Sequence, residues 1–131
     1  MIGVDTNVLL RWLLDDPSAP GQSALARRAV EEAPEDVMVG PVVLAELSWV
    51  LETRFGFGRA PMTAIMREIL AAPMVVLPSR SAVKAAIDAH EKGPPGFSDH
   101  LIAALNIAAG CATTLTLDKT AAKGPHFTLL T

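Results

Sequence analysis

Short apolar runs alternate with amphipathic stretches along the whole chain, and that alternation leaves few folds open. Ile2-Gly3-Val4, Val37-Met38-Val39, Met74-Val75-Val76-Leu77, Thr113 to Leu117 and His126 to Leu130 read as strands. Between them, apolar residues recur at helical spacing. Val8, Leu9, Trp12 and Leu13 mark a helix over 6–15, broken by Asp15-Asp16-Pro17. A second helix covers 22–32, with Ala24, Leu25, Ala29 and Val30 inward and Arg27 and Arg28 toward water. A third starts at Gly40-Pro41 and buries Val43, Leu44, Leu47, Val50 and Leu51. Trp49 falls off that stripe and Glu46 lies at its edge. The Gly-rich segment 54–61 follows, and its Phe55 and Phe57 either pack back onto the helices or form an apolar patch for another protein.

Met62, Ile65, Met66, Ile69 and Leu70 mark the next helix, and 81–92 the one after it. Gly93-Pro94-Pro95-Gly96 is a stiff loop. The last helix opens at Phe97, with Ser98 as N-cap and Leu101, Ile102, Leu105 and Ala109 inward, and ends at Gly110. His90 and His100 read as surface side chains, Cys111 as a small buried residue in a turn, and Thr113 to Leu117 as a buried strand. Strands alternating with helices predict an α/β domain: a mostly parallel sheet of roughly four or five strands, covered on both faces. No linker divides the chain, so residues 1–131 make one domain.

In such a sheet, ligands gather beyond the carboxyl ends of the strands. Asp5 and Asp118 each follow a strand directly. Glu46 and Asp99 sit near the starts of helices that begin at the same edge. Each has a structural reading, because an acid at a helix start caps it or is favoured by its dipole. Four acids meeting at one edge is the stronger pattern.

Carboxylates gathered in one pocket repel each other, and a hard divalent cation relieves the repulsion. Mg²⁺ takes oxygen ligands, keeps several waters and accepts substrate phosphate, and Mn²⁺ suits the same donors. No Cys and His ligand pattern supports zinc. Such a centre activates water against a phosphodiester. The formal charge of −3 does not oppose a nucleic-acid substrate. Without these four acids, ten remain against eleven Lys and Arg. Arg11, Lys119 and Lys123 stand near the acidic edge in sequence and could hold phosphates. A single Cys fits a reducing cytoplasm, no apolar run is long enough to span a bilayer, and no signal peptide opens the chain.

The segments Val4-Asp5-Thr6-Asn7-Val8-Leu9, Ala45-Glu46-Leu47, Phe97-Ser98-Asp99-His100-Leu101-Ile102-Ala103-Ala104 and Thr116-Leu117-Asp118-Lys119 together resemble the PIN-domain family. More narrowly they are similar to the VapC-type toxins of toxin–antitoxin pairs. The resemblance implies a small three-layer α/β/α ribonuclease that uses Mg²⁺ or Mn²⁺. It implies Asp5 and Asp99 as main metal ligands, with Glu46 and Asp118 completing the pocket. Thr6, Asn7 and Thr116 would orient an acid or a water, although capping and strand hydrogen bonds explain them equally well. The resemblance also implies a homodimer and a cognate antitoxin, for which Trp12, Trp49 and the Phe55–Phe57 loop are candidate contacts. Two rivals stay open. One is a non-catalytic PIN-derived binding module. The other is a haloacid-dehalogenase-like phosphatase, which would want an acid where Asn7 stands.

Overall fold

The computed structural model describes residues 1–131. The order is β1 (Ile2–Gly3), α1 (Thr6–Leu13), α2 (Pro20–Glu31), β2 (Val37–Met38), α3 (Pro41–Phe55), α4 (Arg59–Ala71), β3 (Val75–Val76), α5 (Arg80–Lys92), α6 (Phe97–Ala108), β4 (Thr114–Thr116), a 3-10 turn (Ala121–Lys123) and β5 (Phe127–Leu129). Strand and helix alternate as the apolar pattern predicts, and every strand pair is parallel.

The sheet is not one piece. β1, β2 and β3 form one ladder in that order, with Ile2 opposite Val37 and Val37 opposite Val75. β4 and β5 form a second, with Thr114 opposite Phe127. The single sheet of four or five strands is thereby corrected to three plus two. The strands are very short, and β1 gives way to a helix cap at Asp5, so little ladder is available to join the two parts.

Helices carry most of the core. Leu9 and Leu10 of α1, Leu44, Leu47 and Leu51 of α3, Met66 and Ile69 of α4, Val83 and Ile87 of α5, and Phe97 and Leu101 of α6 share one buried cluster. Phe55 and Phe57 pack back against it, as does Trp12. Gly56 ends α3 in a left-handed conformation, φ 67°, which glycine adopts without steric cost.

Several expectations fail locally. In α2 the inward residues are Ser23, Ala26 and Val30; Ala24 and Ala29 are exposed and Leu25 is 66% exposed. Packing against α1 selects a stripe one step round the helix. Ile102 and Ala109 of the last helix face out, because its buried side is set by Phe97, His100, Leu101 and Ala103. β4 is not buried. Its Leu115 points outward, while Thr114 is turned inward by a 2.9 Å hydrogen bond from Asn106 of α6. Cys111 is exposed just past the helix end at Gly110.

Both histidines are buried rather than superficial. His90 Nδ1 lies 2.8 Å from Thr63 Oγ1, and His100 Nε2 donates to the Gly93 carbonyl at 2.8 Å. Arg59 closes this region. Its Nη1 donates to the carbonyls of His90 and Gly93 at 2.8 Å and of Pro95 at 3.2 Å. One α4 side chain therefore shapes the loop that launches α6. Gly124 backs the same loop. A Cβ there would meet Pro95 Cδ at 2.5 Å and His100 Cε1 at 3.3 Å. Pro95 is buried in a ring that cannot swing away, so Gly124→Ala is expected to destabilise the fold by about 1–3 kcal/mol, read as a lower urea midpoint.

Candidate active site

Asp5 is built by the turn from strand to helix. Its backbone is extended, and its Oδ1 accepts from the Val8 amide at 3.0 Å, capping α1. That leaves Oδ2 free of the cap. Thr6 is buried beneath it. Asp5 and Asn7 open onto a cleft of about 570 Å³ shared with Arg11, Gln22 and Arg54. Arg11 is already engaged there, in an ion pair with Asp16 and a 3.2 Å bond to Gln22. β1 and β2 are parallel, so the start of α3 after β2 lies at the same edge as Asp5.

Glu46 is exposed in the second turn of α3. Ser98 does not cap α6; Gly96 holds that position. Its hydroxyl instead lies 2.8 Å from Ser48 Oγ, and both serines donate to the Ala45 carbonyl, at 3.3 Å and 2.8 Å. These bonds stitch the turn of α3 that bears Glu46 to the turn of α6 that bears Asp99.

Asp99 is half-buried. Burial raises its carboxyl above the usual range, the charge of Asp118 raises it further, and His100 opposes the shift. The two candidate acids of the carboxyl-terminal half thus feel each other. Asp118 is set by its own turn. Its Oδ1 accepts from Thr120 N at 2.8 Å, and its amide donates to Thr116 Oγ1 at 3.0 Å. The hydroxyl of Thr116 thereby shapes the turn that carries Asp118. Lys119 and Lys123 are exposed and form no ion pair.

None of the four acids has a basic partner, whereas Asp15, Asp16, Asp88 and Glu91 do. An all-carboxylate, cation-free donor set suits a hard divalent ion. The side chains are not drawn into a closed cage, since no three His, Cys, Asp or Glu converge on one point. They fit an ion that keeps waters and takes one or two carboxylates, and they do not fit a dehydrated ion held by protein alone. Asp99 pays for this arrangement in stability. Its carboxyl prefers the proton more in the folded than in the unfolded state, so ionisation near neutral pH works against folding. Asp99→Asn removes that charge, and a higher melting temperature than the parent in metal-free buffer is the expected outcome.

A second cavity of about 310 Å³ lies between α3 and α6 and reaches Asp99. Trp49, Glu52 and Phe57 line it. Glu52 received no role from the sequence, although Glu46, Trp49 and Glu52 recur three residues apart and so share one helix face.

A model of the PIN domain family matches residues 2–125, a span that holds all four acids in their order. The chain belongs to the PIN-domain family. No curated protein matches it. The PIN domain is a nuclease-type fold, which sets aside the phosphatase reading. PIN-domain nucleases typically use divalent metals, in keeping with the oxygen donors here.

Proposed function

We propose that this PIN domain is a Mg²⁺- or Mn²⁺-dependent endoribonuclease, the toxin of a toxin–antitoxin pair acting in the cytoplasm. The observation that carries the reading is Asp99, a half-buried carboxyl held beside the charge of Asp118 and in no ion pair. Asp5 and Asp99 are the main ligands in this reading, and Glu46 and Asp118 complete the acidic edge directly or through water. A bound ion would supply a water of lowered pKa and neutralise charge on the phosphate. The residues of the chain hold and orient it. Thr116 fixes the turn of Asp118, the Asp5 cap aims its free oxygen, and Thr6 and Asn7 flank that cap. Lys119, Lys123 and, less freely, Arg11 are placed for backbone phosphates.

The toxin reading adds a homodimer and a cognate antitoxin that covers the acidic edge. It rests on the short motifs around Asp5, Glu46, Asp99 and Asp118. Calorimetric titration with Mn²⁺, followed by cleavage of structured RNA, tests the nuclease. Metal binding and cleavage that survive both Asp5→Asn and Asp99→Asn would reject the metal-centre assignment, and a parent that neither binds the ion nor cleaves RNA would leave the non-catalytic binding module. Growth arrest on expression, relieved by the neighbouring reading frame, tests the toxin.

A further inference from the structure

We infer that the cavity between α3 and α6 is a nucleobase subsite, in which Trp49 stacks on a base next to the cleaved phosphate and Glu52 reads its edge. This rests on the nuclease reading for its substrate, but on different residues. Trp49 is 63% exposed, while Trp12 and every Phe are buried or partly so. Trp49 lines the cavity with Phe57 and Phe97, and Asp99 stands at the same wall. A volume of about 310 Å³ falls at the small end of ligand clefts, which run roughly 300–1,000 Å³.

The charges select a base over a phosphate. Asp99 and Glu52 both line the cavity. The one cation in its wall, Arg59, has its Nη1 already committed to three carbonyls. An anion gains little there, whereas a neutral flat ring gains the indole face. Glu52 is exposed and forms no ion pair, so both its oxygens can accept. A carboxylate that accepts two bonds at once matches an edge with neighbouring N–H groups. Guanine offers N1–H and its 2-amino group side by side, and uracil offers a lone N–H. The subsite therefore prefers guanine. Because Glu46 and Trp49 are one turn apart, a base on the indole places its phosphate toward the acidic edge.

The test is intrinsic tryptophan fluorescence with the full chain in metal-free buffer, titrated with 5′-guanosine and 5′-uridine monophosphates and with short single-stranded RNA. The expected result is quenching, tighter for guanine. Trp49→Leu should lose the Trp49 signal and weaken RNA binding, followed by anisotropy of labelled RNA, between about 5-fold and 150-fold. Trp49→Phe should retain part of the affinity. Glu52→Gln should erase the preference for guanine while RNA still binds. Unchanged affinity in Trp49→Leu overturns the subsite even if the protein cleaves RNA, and so does equal binding of both nucleotides by the parent. If Trp49→Leu instead alters only the sedimentation coefficient, the face joins copies of the chain and the subsite is likewise overturned. Base binding that persists in a protein unable to cleave RNA would sink the nuclease and leave the subsite standing.

Discussion

Asp5→Asn and Asp99→Asn are each expected to lower metal-dependent RNA cleavage by at least about 100-fold. Groups that merely support a ligand cost roughly 10- to 100-fold when removed, and a direct ligand costs no less. Calorimetry should show weaker Mn²⁺ binding in both variants. Misfolding is separable from loss of the ion, because Asp99→Asn should fold more stably than the parent. Asp88→Asn is the control. Its carboxylate is tied to Arg67 and Lys84 on the surface, and its loss should leave cleavage within a few-fold of the parent. A parent-like rate in either site variant would remove the metal-centre assignment.

Acid should cost this protein about 3 kcal/mol of stability between pH 6.5 and pH 4 through one buried histidine. Burial lowers His90 from 6.5 to about 4, with Arg59 and then His100 acting the same way. Above pH 6.5 the ring is neutral in both states and contributes no slope. Below it, the unfolded chain takes a proton that the folded chain refuses, so stability falls until the folded ring also protonates near pH 4. Each pKa unit is about 1.4 kcal/mol. His100 is shifted the same way, chiefly by burial, and steepens the loss. Asp99 runs in the opposite direction, so the measurement is cleanest in Asp99→Asn. Asp16, lowered to about 2 chiefly by its Ser18 hydrogen bonds, holds its charge throughout this window. Urea unfolding at pH 4, 5, 6 and 7 reads the slope. His90→Gln should flatten it, and an unchanged slope in that variant would show that His90 is not its source.

The sequence made the alternation of elements legible because helical and strand periods differ and each element buries one side. It also revealed Asp5, whose place between an apolar run and an amphipathic stretch fits a cap. Other features depend on partners far along the chain. His90 reads as a surface side chain although it sits on the stripe of Val83, Ala86 and Ile87, and it is buried. What makes burial tolerable is Thr63, which no local pattern connects to it. Ser98 had the right chemistry for a cap, but Ser48 offered a partner across the α3–α6 contact. In β4 the leucines invite an inward reading. Asn106 reverses it by turning Thr114 inward, and with only β5 as neighbour Leu115 is left outside. The four candidate acids are singled out by position after strands or near helix starts. Glu52 is not singled out, because only the shape of the cavity distinguishes it from an ordinary surface residue.

The guanidinium of Arg59 has a consequence for the order in which the molecule assembles. The carbonyls it gathers belong to residues 31 to 36 positions further along. Closing so long a loop costs chain entropy that winding any single helix does not. The connection before α6 is held in shape by Arg59 only once α4 and α5 have docked, so the turn bearing Asp99 depends on that docking. Until then, Asp99 lacks the half-buried setting beside Asp118 that raises its carboxyl.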